Sequence, residues 1–562
     1  MSDSDTVGGY LASRLQDIGL GQYFAVPGDY NLVLLDELLK NKNLQMISCC
    51  NELNAGYAAD GYSRATGGPA AAVVTYSVGG LSLLNAVAGA YAEDLPVIAI
   101  SGGPNTNSEA EYEYLHHTLG EVDYGYQRDI FSRVTVESVI LHHPMLAPDQ
   151  IDNAIEMALS RRKPVYIEVA SNIAGASTSA PSGRGFGEPS ASDPQSLKAA
   201  VEHAAKFLNA AEKPVLVAGS RIRAGRAEAS FRALADASGY AVASMPNAKG
   251  FVSEQHENYI GIYWGPVSST GCSEVVEASD AALFAGPNFN DYATAGHQFG
   301  VNRKNMILVA PTSVLLQGAL YSQVRMDEFL SKLAPKLNRN GGAMVTFDRI
   351  REDVPDLEPT GGEAPLTVRQ LFARVQRMLD GDSTLLVEIG DSWFNGMDLR
   401  LPDNARFEIQ MQYGSIGWSV GATLGYALGK AKGRLISCIG DGSLQMTAQE
   451  LSTMIRYDAN PIIFLINNGG YTIESEIHDG TYNTIKNWRY ADLVDVFGAG
   501  EGNGWSGRVS TEGELDDAIA KALGHDGLCL IEVIIDRDDC NRNLLRWGNR
   551  VAQNNGRPPR CE

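Results

Sequence analysis

Short apolar runs recur along this chain, and between them lie stretches whose apolar residues repeat at helical spacing. Residues 23–26, 45–50, 71–75 and 164–169 form a first set of runs, 214–218, 281–285 and 306–310 a second, and 384–388, 434–439, 461–466 and 528–535 a third. The runs are apolar at consecutive positions, as strands buried on both faces are. Such strands joined by helical crossovers make mainly parallel sheets flanked by helices, so the expected fold class is α/β. One stretch tests the reading: no charged residue stands between Arg64 and Glu93, and residues 70–92 are long enough to cross a membrane. Its interior, Val73-Val-Thr-Tyr-Ser-Val-Gly-Gly, reads instead as a buried strand running into a glycine turn. A helix over 81–92 and a further strand over 96–100 complete the unit.

A chain of 562 residues is too long for one core. Residues 174–195, rich in Ser, Gly, Pro and Ala, and 351–365, where acids mix with Pro and Gly, have the composition of linkers. They divide the chain into units at 1–180, 195–350 and 362–562, the first and third sharing an architecture without sequence similarity. The 45 Lys and Arg against 67 Asp and Glu leave a formal charge of −22. That balance repels phosphate backbones and anionic lipid and argues against nucleic acid or membrane partners. Seven cysteines without a CxxC pair give no disulfide framework. Cys49 and Cys50, closing the run 45–50, are expected to lie reduced in a core strand. Met1-Ser-Asp-Ser-Asp lacks the basic start and apolar run of a secretory signal, so a cytoplasmic location is expected.

The most informative segment is Gly440-Asp441-Gly442-Ser443, separated by the 24 residues Ser443 to Ile466 from Asn467-Asn468-Gly469-Gly470. Each alone is an ordinary turn. Together they end two neighbouring strands at their carboxyl ends, where open α/β sheets bind ligands. Mg²⁺ on a diphosphate takes hard oxygen donors: a carboxylate, a carbonyl or two, water and phosphate oxygens. Asp441 offers the carboxylate, Asn468 an amide oxygen and Gly470 a backbone carbonyl, while the glycines let phosphate oxygens approach the backbone.

Here the chain resembles the thiamine diphosphate-dependent enzymes, whose signature is Gly-Asp-Gly, some 24 to 27 residues, then Asn-Asn. The likeness extends to Val26-Pro-Gly-Asp29, Asn51-Glu52-Leu-Asn, Leu115-His116-His117-Thr, Gly390-Asp391-Ser392-Trp393, Gly414-Ser-Ile416-Gly and Tyr471-Thr-Ile473-Glu474. It covers essentially the whole chain, is weakest in the middle unit, and points to the 2-oxo acid decarboxylase family.

That resemblance implies a carbon–carbon lyase acting on pyruvate without oxidation, releasing CO₂ and acetaldehyde through a covalent cofactor adduct and its enamine. Glu52 matches the carboxylate that activates the aminopyrimidine, at a helix start that Asn51 can cap. Gly414 and Ile416 match the positions that hold the cofactor bent. Gly390, Asp391 and Ser392 line the diphosphate site together with Gly442, Ser443, Tyr471 and Ile473, and Asp441, Asn468 and Gly470 ligate Mg²⁺. Asp29, His116, His117 and Glu474 surround the adduct, Glu474 assisting decarboxylation and the others protonation and release. Trp393, Ile473, Ile477 and Trp547 narrow the acyl pocket, which favours pyruvate. Glu52 and Asp441 are expected to meet across a subunit interface, making a homodimer the minimal unit and a homotetramer, a dimer of dimers, the expected state.

Two departures limit the carry-over. No GxGxxG follows 214–218, so dinucleotide binding is not expected, against flavin-containing synthases. Ser220-Arg-Ile-Arg-Ala carries no cysteine like the one linked to substrate activation in yeast-type members, and Cys272 is the middle unit's only one. The competing readings are a decarboxylase of larger acids such as indolepyruvate or phenylpyruvate, a carboligase, and a non-catalytic assembly protein.

Overall fold

Each apolar run becomes a strand in the computed structural model, which describes residues 4–181, 185–187, 190–352, 358, 361–429 and 433–558. Parts of both linker stretches, 182–184, 188–189, 353–357 and 359–360, lie outside the described residues. The first sheet is wholly parallel, in the spatial order Gln45–Ser48, Gln22–Ala25, Ala70–Val74, Val97–Gly103, Val165–Ala170, Ser138–Leu141. The third sheet is also parallel, in the order Arg406–Glu408, Thr384–Val387, Leu435–Gly440, Ile462–Asn467, Cys529–Ile534, Trp505–Val509. Numbered along the chain within each sheet, both read 2-1-3-4-6-5, so the shared architecture is a shared topology. The middle sheet has seven strands. It runs parallel from Tyr259–Ile262 through Met306–Ala310 and closes with the antiparallel Ser313–Leu316 and Ala319–Ser322.

The charge-free stretch is the expected buried unit, strand Ala70–Val74 followed by helix Val78–Ala92. No described helix is long and apolar enough to cross a membrane. The cysteine expectation holds only in part. The strand stops at Ser48, Cys49 is buried, and Cys50 is exposed beside Ser452 and Thr453. The chain leaves the sheet there because the Cys50 amide donates to Glu450 (2.8 Å) and Asn51 caps the next helix, its side chain accepting from the Asn54 amide.

That helix, Glu52–Thr66, runs parallel to Trp418–Gly429 of the third unit, with Asn54 and Tyr57 against Gly421, Ala58 against Gly425, and Ala65 against Gly429. The backbones approach so closely that a Cβ on Gly425 or Gly61 would collide with the carbonyl of Ala58 or Ala422. At the far end, buried Arg64 pairs with Asp60 (2.6 Å) and Glu408 (3.4 Å), and Arg223 of the middle unit also grips Glu408 (2.6 Å). Burial pushes the Glu408 carboxyl up, but Arg223 and Arg64 outweigh it and hold it below its ordinary range. Glu408 therefore joins one cation from each of the other two units.

Enlarging Gly425 is the direct test of this seam. Gly425→Val is expected to cost about 1–3 kcal/mol of stability by overpacking, read as a lowered denaturant midpoint, whereas Gly524→Ala, with only ordinary contacts around the added carbon, is expected to stay within about 0.5 kcal/mol of the parent.

Candidate active site

In a sheet ordered 2-1-3-4-6-5 the chain reverses direction between its first and third strands, and the crevice beyond their carboxyl ends is where such sheets bind ligands. In the third sheet those strands are Thr384–Val387 and Leu435–Gly440, so Gly390 and Asp441 flank that crevice. In the first sheet they are Gln22–Ala25 and Ala70–Val74, which places Asp29 and Ser77 at the corresponding point.

Asp441 is fully buried. Its carboxylate accepts from the backbone amides of Gly442 (2.7 Å) and Gly469 (2.6 Å), and among the described residues no basic side chain pairs with it. Burial raises its pKa to about 6 despite those bonds. A buried carboxylate served only by amide dipoles is a site that a cation would complete. Asn468 donates its amide nitrogen to Thr472 Oγ1 (2.6 Å), and among the described residues its side-chain oxygen accepts no hydrogen bond. Its neighbour Asn467 serves a different end, donating to Glu532 (2.7 Å) and accepting from Asn487 (3.0 Å). Gly390 (φ +138°) and Gly469 (φ +79°) adopt backbone conformations that favour glycine, and a Cβ on either would meet nothing within 4 Å. That open space suits a diphosphate. Ser392 and Ser443 are buried beside it, and Gly442 is held against the Tyr471 ring. The Asp391 carboxyl is committed elsewhere, accepting from the Asn541 amide (2.8 Å) and Asn395 (2.7 Å), so that it fastens the start of the C-terminal helix Arg542–Asn555. Burial lifts it to about 7.

The turn carrying Gly414 and Ile416 is fixed from below by a residue that the sequence reading passed over. Glu388, at the end of its strand and 1% exposed, accepts from the amides of Gly417 (3.1 Å) and Ser419 (3.3 Å) and from the Ser419 hydroxyl (2.6 Å). Burial raises its pKa, and those donors oppose the rise. Ser415, between Gly414 and Ile416, meets Tyr57 of the first unit at 2.6 Å. Ile416 is half-buried against the core.

Trp393 and Trp547 are fully buried and lie edge to face at 5.5 Å, with Ile473 buried and Ile477 partly buried against the same cluster. The middle unit completes this wall. Tyr292 meets Trp547 edge-on at 4.9 Å and its carbonyl accepts from Trp264 Nε1 at 2.7 Å. Burial, and then the charge of Glu474, push the Tyr292 hydroxyl up. Glu474 therefore stands in the first turn of Thr472–Ile477 beside the aromatic wall. Neither Tyr292 nor Trp264 carried a signal in a single sequence, because both lie in the unit with the weakest motif content.

The first unit supplies a second cluster. His116 Nε2 lies 2.6 Å from Asp29 Oδ2, His117 Nε2 lies 3.8 Å from Asp29 Oδ1, and Tyr30 stacks on the His116 ring at 5.0 Å. His117 sits at φ +62°, a conformation costing a residue of this kind about 1–3 kcal/mol. Glu52 is half-buried and, among the described residues, makes no side-chain hydrogen bond; a Cβ on Gly79 would stand 3.2 Å from its Oε1. No hydrogen bond or ion pair among the described residues links Asp29, His116 or His117 to the third unit.

Comparison with known proteins agrees with this geometry. Residues 5–126 match the thiamine pyrophosphate enzyme N-terminal TPP binding domain, 201–319 the central domain and 390–533 the C-terminal TPP binding domain. The chain is 51% identical to "Pyruvate decarboxylase 1" of Oryza sativa subsp. indica and of Zea mays, over 99% of this chain and 92% of each relative. It is 50% identical to "Pyruvate decarboxylase 3" of Arabidopsis thaliana, over 99% of this chain and 95% of that one.

Removing Glu388 separates positioning from bulk packing. Glu388→Ala leaves four buried donors, those three and the Ile389 amide (2.9 Å), without their acceptor, an expected loss of about 1–3 kcal/mol per unsatisfied group, seen in chemical unfolding together with faster amide exchange across residues 414–419.

Proposed function

The chain belongs to the pyruvate decarboxylases among the thiamine pyrophosphate enzymes, and we propose that it splits pyruvate into acetaldehyde and CO₂ without oxidation. The observation that carries the reading is the buried Asp441 carboxylate at the third sheet's crevice, unpaired by any described basic side chain and flanked by open glycine backbone.

Thiamine diphosphate, when bound, supplies an electron sink for the pair released as the carboxyl carbon leaves. Asp441, Asn468 and the Gly470 carbonyl would hold Mg²⁺ on its diphosphate. Gly390, Ser392, Gly442, Ser443 and Tyr471 would line that end, with Asp391 tying the Gly390–Ser392 turn to the start of the C-terminal helix. Glu52 would hold the aminopyrimidine, and Gly414 and Ile416 its bend. Trp393, Trp547, Ile473 and Ile477 would exclude water and limit the acyl group to the size of a methyl. Glu474 would act during loss of CO₂. Asp29 and His116, joined by a short hydrogen bond, would with the neighbouring His117 hold and return the proton that the aldehyde carbon needs.

Glu52 and the imidazole pair belong to the first unit, and Asp441 and Glu474 to the third. We take a second copy to complete each site. Support comes from the absence, among the described residues, of any hydrogen bond or ion pair between the two polar clusters within one chain, and from exposed Tyr112, Tyr114 and Leu119 on the loop that carries the histidines. The minimal active unit is then a homodimer, extended to a homotetramer, in the cytoplasm. The units run 1–180, 195–350 and 362–562.

The test is aldehyde formation by purified protein with thiamine diphosphate and Mg²⁺. Acetaldehyde from pyruvate is expected at rates well above those with phenylpyruvate, indolepyruvate or benzoylformate. Chelation of the metal or Asp441→Asn should remove turnover and cofactor retention together. Faster aromatic turnover would move the assignment to larger 2-oxo acids, dominant acetolactate or acetoin would make it a carboligase, and no turnover of any acid would overturn it.

A further inference from the structure

A buried glutamate in the first unit touches none of the proposed reacting groups, yet is connected to two of them. Glu168 lies in the fully buried strand Val165–Ala170 and is itself 0% exposed. Its Oε2 accepts from the Tyr166 hydroxyl and from Gln127 Nε2 (3.3 Å), while its Oε1 is buried without a hydrogen-bond partner. Gln127, also 0% exposed, lies within hydrogen-bonding distance of the Tyr166 and Ser101 hydroxyls through the same nitrogen, and its Oε1 accepts the Ser77 amide at 2.6 Å.

Ser77 is where the network divides. It sits at φ +58° immediately before helix Val78–Ala92, a conformation unfavourable for serine, and the Gln127 bond to its amide holds it there. Two residues on is Gly79, against the Glu52 carboxylate. The Ser77 hydroxyl meets Tyr126, whose own hydroxyl donates to the carbonyl of His117 (3.2 Å), the other strained residue of the site.

We propose that Gln127, seated on Glu168, is the positioning residue that sets the imidazole pair through Tyr126 and the Glu52 wall through Ser77. The proposal rests on the decarboxylase reading for its reaction and on the hydrogen-bond geometry for its structure. A wrong displacement of about 1 Å at such a site costs on the order of a hundredfold in rate, so two strained residues held by one amide side chain matter to the chemistry.

The groups facing Glu168 make its charge state part of this. Burial raises its pKa to about 8; the bonds from Tyr166 and Gln127 and the charge of Arg128 oppose the rise, and Glu109 adds to it. Tyr76 and Tyr126 also face it; burial is the main cause that raises both hydroxyls, and the charge of Glu168 adds to it. An unfolded glutamate ionises near 4.3. The neutral buried form therefore stabilises the fold fully below about pH 4.3. Its contribution is lost progressively up to about pH 8, where the folded group ionises and its charge enters the clamp.

Two holoenzyme variants test the proposal. Gln127→Met keeps the volume and removes every bond. It is expected to lower kcat roughly 10- to 100-fold with little change in pyruvate KM, to displace the pH profile of kcat, and to speed amide exchange over residues 115–126 with or without cofactor. Glu168→Gln keeps the group neutral. It is expected to match the parent's kcat at pH 6, to exceed it at pH 8.5, and to be stabilised relative to the parent increasingly from pH 5 to pH 8. A lowered unfolding midpoint with parental kcat, pH profile and exchange in Gln127→Met would mean that the network is packing only. Should Gln127→Met fail to fold, an alkaline limb in Glu168→Gln superimposable on the parent's overturns the proposal. Loss of the decarboxylase reading is told apart by the parent chain itself turning over no 2-oxo acid.

Discussion

Two parallel helices with almost no side chains between them hold this molecule's chemistry in register. Where Gly421, Gly425 and Gly61 let the helices Glu52–Thr66 and Trp418–Gly429 meet backbone to backbone, the orientation of one sheet against the other has little freedom. Close packing transmits small displacements because nothing between the helices can yield. The amino ends of both helices are also the working ends: one begins at Glu52, and the other follows the Gly414–Ile416 turn. At the opposite end, the Arg64–Glu408–Arg223 knot ties in the middle unit. Breaking such a buried pair on one side leaves an uncompensated charge and costs more than the pair itself contributes.

Three acids inside apolar strand runs reveal a second constraint. Glu168, Glu388 and Glu532 each interrupt a stretch that otherwise reads as pure core, and all are at most 1% exposed. A carboxyl in such a place must be neutral, bonded or both. Glu388 takes three donors from the turn around Ile416, Glu532 takes Asn467 and the Ala491 amide, and Glu168 takes Gln127 and Tyr166. Each therefore stiffens a loop beside the polar site from inside the sheet, where solvent cannot compete for the same donors.

The strands, their parallel pairing and the crevice were legible because burial on both faces leaves an unbroken apolar run, and glycine turns with Asp or Asn punctuate its end. Asp441, Asn468 and Glu52 were legible through motif spacing and resemblance. What the chain did not disclose was which polar side chains serve other polar side chains. Glu388 was read as the last residue of a strand, and Glu168 as one more position in another. An acid within a continuous apolar run was the available signal, since such a residue has to find a partner. Tyr292 and Trp264 gave none: an aromatic residue in a loop reads the same whether it lines a pocket or fills a core.

The middle unit joins the site through those aromatics and not through a ligand fold of its own. Tyr292 lies against Trp547 and near the turn at Gly414, and the adjacent Asn288 and Asn290 both bond Gln412, two residues before that turn. Trp264 stacks on Phe394 at 5.0 Å, next to Trp393. The aromatic wall is thus half built by a unit that carries none of the recognisable motifs. The boundary between the two units is held by polar contacts as well, Arg223 on Glu408 (2.6 Å) and Lys249 on the Leu399 carbonyl (2.7 Å) among them, so the aromatic wall and the third unit's loops are fixed against the same neighbour. Middle-unit packing therefore shapes the aromatic wall at Trp393 and Trp547, while buried hydrogen bonds beneath the sheets fix the loops at His117 and Ile416.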